Sequence, residues 1–308
     1  FQIARGPAEI RDEFMTAQVR LTLPAVTPDV LAPGRWLVRL HADYGNDFGF
    51  EQVGTDLRYM VDGEHSTLEA QVRRGLGGGV DVGVRVPVRW RGGGWADGLI
   101  EWWHETFGFA NNDRDLFPRD EYHVEGRDDA FSEIEWAEEG WGLGNVELDA
   151  RWQLLCPRCR SDWRAALIGR VGLPTGTGPY ETGSVDVGLQ AVAAKQLGRR
   201  FDLYSGLGGT WFFEDTIDGI EYEPLRAHGF LALEWRATSS ISLLLQTDAA
   251  SRLVTNLADY PALQWYVMVG AKADLGRGWR LTLGITENLL DQQSTIDAGM
   301  WSSLEVLF

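Results

Sequence analysis

Valine occupies every even position from Val80 to Val88 in the stretch VDVGVRVPVRW, and Trp90 completes the row. Between them stand Asp81, Gly83, Arg85, Pro87 and Arg89. A period of two held over this length predicts a strand with one hydrocarbon face and one polar face. The alternation recurs in Trp36–Tyr44, Leu68–Val72, Val146–Leu154, Leu167–Leu173, Val187–Ala193, Phe201–Trp211, Leu231–Trp235, Ile241–Leu245, Trp265–Ala271, Trp279–Ile285 and Ile296–Phe308. With their flanks, most of these 12 segments run to 9–13 residues. Strands of soluble proteins average ~5–6 residues, whereas a tilted strand crossing a bilayer needs roughly 9–11.

The connectors alternate in length. Those at 75–79, 156–163, 197–200, 237–240 and 275–278 are short, and those at 45–65, 91–142, 174–184, 214–226, 251–261 and 289–295 are mostly longer. Short periplasmic turns and longer outer loops are the pattern of an outer-membrane barrel. Its apolar rows meet lipid, its charged rows meet the lumen, and closure leaves no unpaired edge in hydrocarbon. Trp36, Trp90, Trp152, Trp211, Trp235, Trp279 and Trp301 fall at or near segment ends, where aromatic girdles belong. A soluble β-sandwich predicts fewer, shorter strands and fewer tryptophans on the apolar face. The expected fold is therefore all-β: a transmembrane, antiparallel, up-and-down β-barrel of 12 strands. Met15–Leu23 and Leu57–Val61 also alternate, and counting both gives 14. With 12 strands, residues 1–34 form a periplasmic or lumenal segment and 35–308 the barrel. Segment 45–65 is then an outer loop with a hairpin turning at Asp62-Gly63, and the alternation at 15–23 has no assigned place.

Residues 91–142 break the rhythm as an extracellular insertion. GGGWADGLIEWWHETFGF reads as a flexible lead followed by a short helix from Asp97 to Phe107, with Asp97 as N-cap. Leu99, Ile100, Trp103 and Phe107 share one face of it, expected to pack over the barrel mouth, in the lumen or on the membrane surface. The insertion carries 14 Asp and Glu against 4 Arg. Clustered carboxylates can bind Ca²⁺, for which Asp113 and Asp115 are the candidates. No EF-hand spacing appears, so a solvated acidic loop is the simpler reading, and no cofactor is expected.

The net charge of −17 argues against nucleic acid, whose phosphates call for a basic surface. No run of 18 apolar residues exists to form a membrane helix, a test that alternating strands escape. The first residues show neither the basic region nor the apolar core of a signal peptide, as expected of a mature or trimmed chain. The two cysteines, Cys156 and Cys159 in CPRC, link two strands. A redox dithiol should open a helix and a zinc site needs further ligands, which leaves a disulfide across a turn or an idle thiol pair.

Several stretches together resemble one family. LAPGRWLVRLHADYGNDF, VDGEHSTLEAQVRRGL, GGGWADGLIEWWHETFG, GLGNVEL and GLPTG are similar to the marks of the family catalogued as domain of unknown function 3187. The resemblance covers most of the chain from residue 31 and implies a Gram-negative outer-membrane barrel, integral to that membrane and surrounded by its lipid. The terminal Phe308, with Val306 and Leu304 on its face, resembles the C-terminal signal read by the barrel assembly machinery. The family implies no activity and no catalytic residues.

Three functions are compatible with such a barrel. The first is a passive or gated diffusion channel for small polar or charged solutes. Its pore-lining candidates are Arg39, Asp43, Glu69, Arg73, Asp81, Arg85, Arg89, Glu147, Asp149, Arg151, Arg170, Asp202, Glu234, Arg236, Lys272 and Arg280, with His41 and Asp248 on the same faces. Arg85, Arg89, Arg151 and Arg170 are expected at a constriction, with Arg85 and Arg89 facing water. The second is a plugged structural or binding barrel that presents the acidic, aromatic loop with Phe117, Tyr122, Phe131 and Trp141 to a partner that the sequence does not name. The third, an outer-membrane hydrolase, lacks a nucleophile beside a base: His41 has no serine at same-face spacing, and His65-Ser66 point opposite ways.

Overall fold

The computed structural model describes residues 6–53, 56–108, 114–127, 133–134, 138–155, 162–257, 260–288 and 295–308. Twelve antiparallel strands form the wall: β1 (Trp36–Val53), β2 (Asp56–Gly77), β3 (Val80–Gly92), β4 (Glu147–Leu155), β5 (Trp163–Gly172), β6 (Asp186–Leu197), β7 (Phe201–Phe212), β8 (Leu225–Arg236), β9 (Ile241–Ser251), β10 (Leu263–Gly276), β11 (Trp279–Asn288) and β12 (Ile296–Leu307). Each pairs with its chain neighbours, and β12 returns to β1 from Leu37↔Leu307 to Asp47↔Ile296, which closes the barrel. Trp36 and Phe308 exchange backbone hydrogen bonds at the seam.

The alternation sorts the side chains as expected. In β3, Val82, Val86 and Val88 are exposed to the lipid side, and Asp81, Arg85 and Arg89 are buried inside. Trp36, Trp152, Trp163, Trp235 and Trp279 ring the outer surface at the short-turn end, and Trp211 and the Trp90–Trp141 pair mark the other. Trp301 is the exception among the expected girdle residues. It sits mid-strand opposite Asp43, points inward, and lies over the bare backbone of Gly270 and Gly284. Its indole N–H donates to Thr286 Oγ1 at 3.1 Å. Proximity to a strand end along the sequence does not settle which face a residue occupies.

The short turns follow local backbone chemistry. Arg277 and Gly278, at φ 52° and 87°, form the two-residue turn that matches strand twist between β10 and β11. The β1–β2 hairpin differs from expectation. Asp62 and Gly63 lie within β2, opposite Phe48 and Asp47, and carry no turn. The strands continue to 18 and 22 residues and stand well beyond the bilayer. At ~3.3 Å per residue a strand as long as β2 spans roughly 70 Å, against an apolar band ~25 Å tall. Phe48, Phe50 and Phe117 cluster on this extension. His65 and Ser66 also belong to β2 rather than to a turn.

Met15–Leu23 is not a strand. Met15–Gln18 makes one helical turn, here α1, and residues 19–35 are irregular. Residues 8–27, almost all buried, lie inside the barrel. The segment rises from Gly6 beside Lys272 to Thr16 beside Tyr260 at the outer end. It then descends past Asp186 to Leu31, whose N–H donates to Asp81 near the short-turn end. Among the described residues, its backbone hydrogen bonds to the wall's backbone occur only at Gly34 and Arg35.

The insertion holds a helix at the expected place, α2 (Asp97–Phe107). Its N-cap is Ala96 rather than Asp97, and the amides of Trp95 and Ala96 donate to the carboxylate of Glu64 on β2. A negative charge there suits the positive end of the helix. Gly94 takes φ 71° and presses against Glu64, where any side chain would collide. The buried face of α2 is Asp97, Ile100, Glu101 and His104, not the expected Leu99, Trp103 and Phe107. Further strands of the insertion pair with β2 and β3 above the membrane.

Candidate functional site

Charge is concentrated in the lumen, and the segment from Gly6 to Leu31 fills it. Glu9 meets three wall arginines: Arg39 at 2.5 Å, Arg85 at 2.5 Å and Arg151 at 3.1 Å. Arg11 lies between Glu69, at 2.7 Å, and Glu147, which it grips with both nitrogens. Asp12 accepts from Arg226 at 2.6 Å and from the Tyr266 hydroxyl at 3.1 Å. Glu13 accepts from Thr67 at 3.1 Å and pairs with Arg89 at 3.4 Å. Arg20 pairs with Asp186 at 3.2 Å, and Asp29 with Arg164.

Wall side chains also grip the segment's peptide groups. Gln246 donates to the Ala8 carbonyl at 3.1 Å and accepts the Ala8 amide at 2.9 Å. Arg89 donates to the Gln18 carbonyl at 2.5 Å, Gln190 to Pro24 at 3.2 Å, Arg170 to Thr22 at 3.4 Å, and Lys272 to Gly6. A segment without a ladder of its own thus has its polar backbone satisfied by side chains.

The sixteen residues expected to line a pore are all placed on the inner wall, but among the described residues none of them rings an open bore. Arg39, Glu69, Arg85, Arg89, Glu147, Arg151, Arg170 and Lys272 meet the segment, and Asp81 accepts the Leu31 amide. Arg73 bridges Asp81 and Asp149. Asp43 faces His41 at 3.4 Å, Asp202 pairs with Arg236, Glu234 accepts from Tyr204 at 3.1 Å, and Arg280 meets Asp274 at 3.0 Å. Asp248 accepts from Gln246. Arg85 and Arg89 do not face water as expected, being buried against Glu9 and Glu13. The cavities beside the segment, near Glu9 and near Ile10, measure about 40 and 30 Å³. Spaces of that size hold a water molecule or two.

Sequence reasoning did not single out Glu9, Arg11, Asp12, Glu13, Arg20 and Asp29. Only Arg20 stands in the alternating stretch Met15–Leu23; the others lie in 9–13 and at 29, where no periodicity marks them. Cys156, Cys159, Asp113 and Phe131 lie outside the described residues, and of Asp115 only the backbone is described.

A second polar cluster lies under α2, on the outer face of β1, β11 and β12. Arg114 donates to Asp97 at 2.7 Å, to Asn46 at 2.7 Å and to Asp297 at 2.8 Å, and stacks 4.3 Å from the Phe48 ring. His104 lies 3.7 Å from Glu287. His104, Glu287 and Asp297 offer ligand atoms within 4.8 Å of one another, but Arg114 already supplies positive charge to Asp297. Burial opposes protonation of His104, yet Glu287 and Asp297 outweigh it and raise its pKa above the ordinary 6.5.

The geometry defines a transmembrane β-barrel whose lumen is closed by its own N-terminal segment. The chain belongs to the family described as protein of unknown function DUF3187, whose model matches residues 2–308. It is similar in structure to the COG4313 outer-membrane channel from Pseudomonas putida F1, with TM-score 0.60 and 12% identity over 91% of this chain and 97% of that one. It is also similar to the NanC porin, with TM-score 0.50 and 6% identity over 89% and 98% of the two chains. At these identities the likeness is one of fold. No curated protein matches the sequence.

Two outcomes test the site. Arg11→Ala leaves Glu69 and Glu147 without their shared partner. Removing one member of a buried pair costs about 3–5 kcal/mol, expected here in docking of the segment rather than in the wall. Protease should then cut residues 6–31 in vesicle-embedded protein whose barrel still migrates as folded on unheated gels. Separately, the raised pKa of His104 means that its protonation stabilises docked α2 in full below the unfolded value of 6.5. That contribution is lost as pH rises through the higher folded value. Cleavage next to α2 should increase on going from mildly acidic to mildly alkaline buffer, and His104→Gln should flatten that dependence.

Proposed function

We propose that this protein is a gated outer-membrane diffusion channel for small polar or charged solutes, closed at rest by residues 6–31 and not an enzyme. The observation that carries the proposal is how the segment is held: by side-chain ion pairs and hydrogen bonds to a charged wall, with backbone pairing to the wall, among the described residues, beginning only past it at Gly34 and Arg35. Such a filling can leave without breaking a ladder. Both members of each pair are rehydrated as it leaves, and a buried pair gains little over its hydrated components. The vacated wall would present mixed charge, with arginines prominent around Arg85, Arg151 and Arg170, and would select solutes by field and size. The fold shared with the COG4313 channel and the NanC porin supports this reading.

The closed lumen also suits the second reading, a permanently plugged barrel that displays its acidic outer loop to a partner. In either case, we assign recognition by the barrel assembly machinery to the last strand, which ends in the exposed Phe308.

A cross-link separates the two. A Cβ built on Gly172 would lie 3.6 Å from the Leu21 Cβ, within the ~3.5–4.5 Å that a disulfide spans. The Leu21→Cys/Gly172→Cys variant, made with Cys156→Ser and Cys159→Ser, should be silent in a planar bilayer when oxidised and should show openings after reduction. Silence in both states, with the protein folded and inserted, supports the plugged barrel. Equal conductance in both states refutes the gate.

A further inference from the structure

Helix α2 lies against the outside of the barrel, and its polarity is reversed from that of a helix packed on a soluble core. Asp97, Glu101 and His104 turn toward the protein, where Arg114, Arg119 and Glu287 meet them. Leu99, Trp102 and Phe107 lie outside this polar contact and are 43%, 56% and 58% exposed. Trp95, its ring tilted against that of Tyr44 with centroids 5.6 Å apart, extends this apolar surface. A helix that anchors its polar side and leaves tryptophan and leucine uncovered belongs at a lipid boundary.

Below the helix, its apolar side and the outer wall enclose a cleft of about 280 Å³. Leu99, Trp102 and Trp103 form one side; Tyr44, Ile285 and Met300 form the other. Ile285 and Met300 are exposed members of the lipid-facing rows of β11 and β12, so the cleft is continuous with the surface the barrel presents to hydrocarbon. Its polar lining gives an occupant nothing to bind. Asn46 is engaged by Asp97 and Arg114, and Glu287 by His104.

We infer that this cleft holds one acyl chain of a bilayer lipid. The chain enters from the outer leaflet and lies between α2 and the wall, while its headgroup stays at the interface. Recognition is of hydrocarbon, so it does not depend on the headgroup. The bound chain fills a gap that would otherwise stand open under the helix and braces α2 against the barrel.

The test uses full-length protein in detergent, with Cys156→Ser and Cys159→Ser and a bimane fluorophore on Leu99→Cys in the cleft or on Leu245→Cys in the open lipid-facing band. The probe is phosphatidylcholine with a nitroxide on one acyl chain. Quenching at Leu99→Cys should saturate near one lipid per protein, whereas quenching at Leu245→Cys should rise without saturation. Ala298→Phe, which fills the floor of the cleft, should abolish the saturable component; Met300→Trp fills it from the wall if the first variant does not fold. Equal dose dependence at the two positions would overturn the inference, reducing the cleft to ordinary lipid contact. A saturable signal from nitroxide-labelled free fatty acid but none from the phospholipid would also overturn it, in favour of a free apolar solute.

Discussion

Everything in this molecule depends on the requirement that a strand in hydrocarbon must have all its backbone groups paired. An open sheet fails that requirement at its edges, so the chain closes β12 onto β1 and the wall becomes continuous. Closure forces a choice at each position, because successive side chains point to lipid or to lumen. Valine, leucine and tryptophan take the first environment. The arginines and carboxylates are left with the second, a narrow interior with little room for water. Unpaired charge is costly there, and pairing across the wall does not serve them all. The N-terminal segment supplies the complement: Glu9 for Arg39, Arg85 and Arg151, Arg11 for Glu69 and Glu147, and Asp12 for Arg226.

The same arrangement explains why the filling is a candidate gate and not a core. A core of interlocked apolar side chains is held by area removed from water, and opening it returns that area to water at full cost. Ion pairs respond differently, because water entering the lumen solvates both partners. The segment does carry apolar residues, with Phe14, Met15, Val19 and Leu21 buried. They give the closed state a grip that charge alone does not. In the proposed channel, the balance between this apolar contact and exchangeable ion pairs would set how often the lumen opens. On the outer face, Glu64, Arg114 and His104 fasten α2 to the wall through polar groups, which frees its apolar side for lipid.

Most of the wall was legible in the sequence because period-two alternation is a direct consequence of a two-sided environment. The strand count, the lipid-facing rows and the inward charges all followed from it, and helical spacing gave the extent of α2. The N-terminal segment was not legible. Alternation at Met15–Leu23 reports that the residues have two kinds of neighbour, and an irregular chain threaded between charged and apolar walls meets that condition without being a strand. Asp62-Gly63 carries a turn signal in the sequence but no turn in the structure for a related reason: turn-forming residues do not turn when both flanks have strand partners. Trp301 lay inward because two facing glycines left space for an indole, and that fit is set by a partner strand rather than by local sequence. The helix presented its polar face to the protein, a reversal that periodicity alone does not reveal.

The central claim is that residues 6–31 form a removable filling within a permanent wall. Amide hydrogen exchange on the intact protein in lipid vesicles tests it most directly. The account predicts that peptides from the segment exchange together and far faster than those from β4 to β12, while the strands keep their protection. Exchange of the segment only as slowly as the strands, on the timescale of barrel unfolding, would contradict it and make the filling an integral core.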